Sequence, residues 1–89
     1  MKSGSAMSEI ESIAEENGIH DMNLVKPSIG ETTRVLLRRV PDKIYVHSLD
    51  DTNLAHIYRL AKEKHVPVVE RPSLHNYYAV GVIKEMSDV

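Results

Sequence analysis

The sequence contains no cysteine, tryptophan or phenylalanine, and four tyrosines are its only large aromatic residues. Without thiols the chain can form no disulfide, thiolate metal site or cysteine nucleophile, which favours an intracellular setting. With so few rings, the core must be aliphatic. No apolar run approaches the roughly 18 residues of a membrane span, and the start MKSGSAM lacks the apolar segment of a signal peptide. A cytoplasmic protein with no membrane partner is expected.

What is present suits one small folded domain. Of 89 residues, 42% are hydrophobic and 27% charged, ordinary values for a globular chain. Residues 1–6 read as a flexible N-terminus or cloning remnant, with Met7 a natural start. Residues 7–84 read as a single α/β domain and 85–89 as a polar tail. The net charge of −2 conceals a segregation. Residues 8–21 carry Glu9, Glu11, Glu15, Glu16 and Asp21 with no basic residue, whereas residues 26–43 carry Lys26, Arg34, Arg38, Arg39 and Lys43 against Glu31 and Asp42. Such a basic middle can hold a polyanion despite the overall sign. Equally, Arg38, Arg39 and Lys43 suit the solvated C-terminal end of a helix.

The stretch Asp42 to Glu70 declares the architecture. Ile44 and Val46 alternate with Tyr45 and His47, the period of a strand. Asp50, Asp51 and Thr52 offer oxygens to the free amides of a helix start. Leu54, Ile57, Tyr58 and Ala61, with Leu60 beside them, then form an apolar stripe opposite Arg59, Lys62, Glu63 and Lys64. Val66, Val68 and Val69 follow as a second strand, with Pro67 tolerable at a strand start or an edge. A strand, a helix of roughly twelve to fourteen residues and another strand make a parallel crossover unit.

Before this unit, Ser8 and Glu11 match a capping box, Ile10, Ile13 and Ala14 an apolar helical face, and Asn17-Gly18 a helix stop. Asn23 to Lys26 reads as a short strand, Pro27 to Gly30 as a turn, and Glu31 onward as a second helix ended by Pro41. After it, Arg71-Pro72-Ser73 is a turn, Leu74 to Tyr77 one helical turn, and Ala79 to Ile83 a returning strand. The fold class predicted is a three-layer α-β-α sandwich: a small mixed four-stranded sheet with helices on both faces.

Covalent chemistry finds no constellation. His20, His47, His56, His65 and His75 are scattered without metal-ligand spacing, and Asp50 and Asp51 sit where caps are required. Gly30 lacks the partners of a phosphate-binding loop. The chain is expected to be no enzyme and to hold no metal or cofactor.

IGETTRVL at Ile29 to Leu36, KIYVHSLDD at Lys43 to Asp51, LAKEKHVPVVE at Leu60 to Glu70 and RPSLHNYYAVGV at Arg71 to Val82 together resemble the kink-turn-binding ribosomal-protein superfamily. That fold also serves as the RNA-recognition domain of SpoU-type RNA ribose methyltransferases. The resemblance implies RNA binding by the glycine-containing loop and helix start, helped by the turn at Ser73, His75 and Asn76. The family's motif is a glycine, an amide or basic residue two positions on, an acidic or amide residue three on, and a basic residue six on. Anchored on Gly30, the readers are Thr32, Thr33 and Leu36; anchored on Ser28, they are Gly30, Glu31 and Arg34. Helix-start amides, Lys26, Arg34 and Arg38 would hold phosphate, while Glu31 or Thr33 would meet a base edge. Of Tyr77 and Tyr78, one is expected in the core and the other at the surface, where a ring can stack on an unpaired base.

The expected function is that of a small non-catalytic RNA-binding protein in a ribonucleoprotein or translation-linked complex, with structured RNA and protein partners. Two alternatives stay open: a protein-interaction module of the same fold without RNA binding, or the detached recognition domain of an RNA methyltransferase. Edge strands leave dimerisation open.

Overall fold

The computed structural model describes residues 6–74 and 77–83. Helix α1, Ala6–Glu16, buries Ile10, Ile13 and Ala14 along one face. It stops where the sequence says it should. Gly18 takes a left-handed φ of +66°, the Ile19 N–H bonds the Ala14 carbonyl at 2.9 Å and the Gly18 N–H bonds the Glu15 carbonyl at 3.2 Å. This is the paired-bond stop that glycine makes possible. The start differs from expectation: Ser8 lies inside the helix rather than at its cap, because Ala6 and Met7 are good helix formers that carry the first turn further back.

A 3₁₀ turn, Met22–Leu24, capped by Asp21, delivers β1, Val25–Pro27. The strand therefore starts two residues later than Asn23 and includes Pro27. Proline fits because β1 is an edge strand, where an outward-facing position needs no N–H. Helix α2, Ile29–Arg38, begins two residues before Glu31, so Gly30 belongs to its first turn rather than to the preceding bend. Strand β2 is Lys43–Val46. Asp51 caps a 3₁₀ turn, Thr52–Leu54, which winds directly into α3, Ala55–Glu63. Strand β3, Val68–Glu70, and strand β4, Ala79–Val82, complete the sheet. The helical turn expected across Leu74 to Tyr77 includes residues 75 and 76, outside the described residues.

The sheet order is β1-β4-β2-β3, with β2 and β3 parallel and the remaining pairs antiparallel. The strand-helix-strand unit is thus the parallel crossover read from the sequence. Strand alternation divides two cores. Val25, Tyr45, Val80 and Val82 point to α1, joining Ile10, Ile13 and Ala14; Ile44, Val46 and Ala79 point the other way, joining Leu36 of α2 and Ile57 and Ala61 of α3. The molecule is the three-layer sandwich predicted, with a mixed four-stranded sheet. Because β2 is buried on both faces, Tyr45 is only 5% exposed, a more symmetric burial than its alternation implied.

One cation ties the α1 layer to the sheet. Arg71, just beyond β3, donates through Nε to Glu9 at 2.8 Å, through Nη1 to Glu16 at 2.9 Å and through Nη2 to Ser12 at 3.1 Å. Its guanidinium also lies 5.6 Å from the Tyr45 ring centroid. Burial opposes the charge, but the bonds that Arg71 donates to Glu9 and Glu16 outweigh it and hold the Arg71 pKa above its ordinary value. Among the described residues, no helix is long and apolar enough to cross a membrane, and no group of three or more metal-ligating side chains is placed to hold an ion.

Candidate nucleic-acid interface

The start of α2 is fixed from the sheet. Ser28 donates its N–H to the Ala79 carbonyl at 2.8 Å, and its hydroxyl accepts from the Glu31 N–H at 3.3 Å. Its φ is +92°, in the half of backbone space that favours glycine. Gly30, by contrast, is an exposed helical residue whose added Cβ would meet nothing within 4 Å. The unusual backbone therefore lies at Ser28, two residues before the glycine.

Helical periodicity then sorts the residues expected to read RNA. Thr32 is fully buried, and its hydroxyl donates to the Lys26 carbonyl at 3.3 Å. It is withdrawn from any surface, a correction to its expected role, because position 32 of the helix faces β4. Leu36, one turn on, is also fully buried. The Thr33 hydroxyl donates to the Ile29 carbonyl at 2.8 Å and lies 2.8 Å from His56 Nε2. With its hydrogen committed to Ile29, this oxygen accepts from the imidazole and joins α2 to α3 instead of offering a free group.

Glu31, Arg34, Val35 and Arg38 fall on one helical stripe. With Lys26 of β1, Arg39 and Ile83 they line a cleft of about 260 Å³ on the β1 flank of α2. Lys26 reaches it because β1 alternates, Val25 being turned to the α1 core. The cleft brings together four of the expected residues (Lys26, Glu31, Arg34 and Arg38) and adds Arg39, which the alternative of a solvated helix end had absorbed. Four cations thus face one carboxylate. That carboxylate neutralises little, since Glu31 and Arg34 stand 3.7 Å apart with side chains 45% and 60% exposed, a geometry worth almost nothing in water. Arg38 and Arg39 do suit the C-terminal end of α2, but Lys26 and Arg34 have no such explanation.

Ser73 is exposed and leaves the sheet at the same end as the α2 start. It lies past the opposite edge strand, however, and Arg71 holds that loop towards α1, so Ser73 does not line the cleft. His75 and Asn76 lie outside the described residues.

Above the C-terminal ends of β2 and β3 the structure gathers a second group. Asp51 accepts from the Asn53 N–H at 2.9 Å, as a cap should, and its other oxygen stands 2.6 Å from His47 Nε2. The His47 bond first, and the Asn53 amide second, hold the Asp51 carboxyl below its ordinary 3.8. The Tyr58 hydroxyl donates to the Ser48 carbonyl at 2.7 Å, and burial, followed by the charges of Asp51 and Asp50, raises its pKa. The sign for Asp51 is definite: a depressed folded-state pKa contributes stability above the unfolded value and loses it as pH falls through the folded one. Urea midpoints of the wild type and Asp51→Asn should therefore differ at neutral pH, and the gap should close as pH is taken below about 3.8. Asparagine retains the cap, so a gap that persists in acid would assign the effect to the lost second oxygen facing His47 rather than to the carboxylate's charge.

Comparison with known proteins adds two findings. Residues 4–85 match the PELOTA RNA binding domain. A cysteine protease StiP from Acinetobacter baylyi is 33% identical over 78 residues, which cover 86% of this chain and 20% of that protein. This chain thus spans about a fifth of the length of the curated relative it matches, and having no cysteine it supplies no thiol nucleophile of its own. With the family match extending over nearly its whole length, the chain belongs to the PELOTA RNA binding domain family.

Proposed function

We propose that this domain binds structured RNA, without catalysis, along the β1 flank of α2, as a cytoplasmic component of a ribonucleoprotein. The observation that carries the reading is the cleft itself: Lys26, Arg34, Arg38 and Arg39 converge on one groove in a chain whose net charge is −2. Affinity for a polyanion depends on the phosphates contacted and not on the total charge. Three acidic residues, Glu11, Glu15 and Glu16, are exposed on α1 across the sheet. An approaching RNA is repelled by α1 and drawn to the cationic cleft.

Kink-turn preference is part of the proposal, with the motif anchored on Ser28. The glycine of the kink-turn motif then falls on the residue with φ +92°, where glycine has its conformational use. Its readers become Gly30, Glu31 and Arg34, all at the surface or partly so, whereas the register anchored on Gly30 requires the buried Thr32 and Leu36. A second reading, docking to a protein partner, is favoured by Leu37 and Val40, 64% and 66% exposed at the end of α2.

Electrophoretic titration against a kink-turn RNA and a matched unkinked duplex, at two salt concentrations, separates the readings. RNA binding should weaken about tenfold or more between low and physiological salt, and Arg34→Ala should lower the logarithmic salt slope by about one. Absence of salt-sensitive binding to either RNA would reject the RNA reading and turn attention to Leu37 and Val40.

A further inference from the structure

Among the described residues, those lining the cleft include four cations and no aromatic ring. Exposed aromatic surface lies instead at Tyr78, 47% exposed, whereas Tyr77 packs against the α1-side core. Tyr78 immediately precedes Ala79, whose carbonyl anchors the Ser28 N–H and so the start of α2. Its backbone is held in an uncommon shape. Tyr78 has φ +62°, the Ala79 N–H closes a three-residue turn onto the Tyr77 carbonyl at 2.6 Å, and the Tyr78 carbonyl accepts from the His47 N–H at 2.9 Å. The ring forms a T-shaped pair with His47, with centroids 5.2 Å apart and planes at 78°. His47 is fixed in turn by Asp51, 2.6 Å away.

A tyrosine at positive φ is strained where glycine would not be. Such outliers persist where the surrounding structure enforces them, often at ligand contacts. Here the ring is braced by a near-perpendicular neighbouring ring while nearly half of the residue faces solvent. We infer that Tyr78 is a stacking platform for one unpaired RNA base, beside the start of α2. The inference rests on the RNA reading above and deepens it. Charge sets the polarity of the bound strand. Asp51 bonds His47 at 2.6 Å and Glu70 accepts from the Leu49 N–H at 3.0 Å, with Asp50 exposed in the same loop, so a phosphate is repelled at this end of the sheet while the neutral face of a base is not. The phosphates follow the cationic flank of α2, and the base turns in over β4.

The test uses two RNA hairpins, one fully paired and one carrying a single bulged 2-aminopurine, titrated at one salt concentration. Wild-type protein should prefer the bulged hairpin and quench its fluorescence by stacking. Tyr78→Ala should lose about tenfold for the bulged hairpin, with the quenching abolished and affinity for the paired hairpin retained, while Tyr78→Phe should behave as wild type. Tyr78→Gly separates stacking from folding. It relieves the backbone strain, so it should melt no lower than wild type yet bind the bulge as poorly as Tyr78→Ala. Unchanged bulge preference in Tyr78→Ala and Tyr78→Gly would overturn the inference while leaving the RNA reading intact. Failure of every variant and the wild type to bind either hairpin would overturn both.

Discussion

Replacing Arg34 and Arg38 together by glutamate is expected to weaken binding to structured RNA by about a hundredfold or more at physiological salt. The estimate follows from counterion release. A slope of about 0.9 per phosphate contact makes each contact worth roughly fivefold near 0.15 M salt, so losing two costs roughly thirtyfold, and the carboxylates then repel the phosphates they replaced. The logarithmic salt slope should fall by about two. Folding should be nearly untouched, because both arginines are exposed and the Arg34 partner, Glu31, stands 3.7 Å away in water. The stability terms are small: a carboxylate at position 38, at the wrong end of the α2 dipole, costs about 0.3–1 kcal/mol, and the like charges created at 31/34 and 34/38 cost about 0.2–0.5 kcal/mol each. Measured affinity and urea midpoint together check the result. An affinity unchanged by the double reversal would place the RNA elsewhere, and an equal loss of midpoint and affinity would mean that folding rather than contact was altered.

That cleft was largely legible because it obeys helical spacing. Glu31, Arg34 and Arg38 recur every three or four residues, and any helix through them must put them on one side. The threonines misled for the same reason read the other way: Thr32 looks like a polar reader in isolation, yet it shares a face with Leu36 and must enter the core. The central β2-α3-β3 unit was legible because its contacts are local in sequence and its apolar pattern is unbroken. Ser28 was not, since serine gives no sign of a φ of +92°; that value is imposed by the Ala79 carbonyl, from a strand 51 positions away. Pro27 read as a turn because proline usually breaks strands, and only the sheet order, with β1 at an edge, makes its place acceptable. The insertion of β4 between β1 and β2 is likewise a long-range pairing with no local signature.

The same limit hid the role of Arg71, read from sequence as part of a turn, and there the largest stability effect is expected. Arg71→Ala should destabilise the domain by about 2–3 kcal/mol, below the 3–5 kcal/mol of a fully buried pair because one partner is half in water. Glu9 is 26% exposed and loses its 2.8 Å bond, whereas Glu16 is 49% exposed and can rehydrate. Packing over Tyr45 is lost as well. Arg71→Lys should recover little, since an ammonium cannot reach Glu9, Glu16 and Ser12 at once as the planar fork does. Urea midpoints for the single variants Glu9→Gln, Glu16→Gln and Arg71→Ala and for the double variants should rank Glu9 above Glu16, with a coupling of about 1 kcal/mol or more between Glu9 and Arg71. Coupling under about 0.5 kcal/mol would mean that apolar packing alone holds α1 on the sheet. Because Arg71 acts at the β3 edge and on the α1 face, Arg71→Ala that remains folded should bind RNA with wild-type affinity. The acidic helix is thereby assigned a structural reason for its charge: Glu9 and Glu16 grip the cation that closes the sandwich, on the face turned away from the proposed RNA.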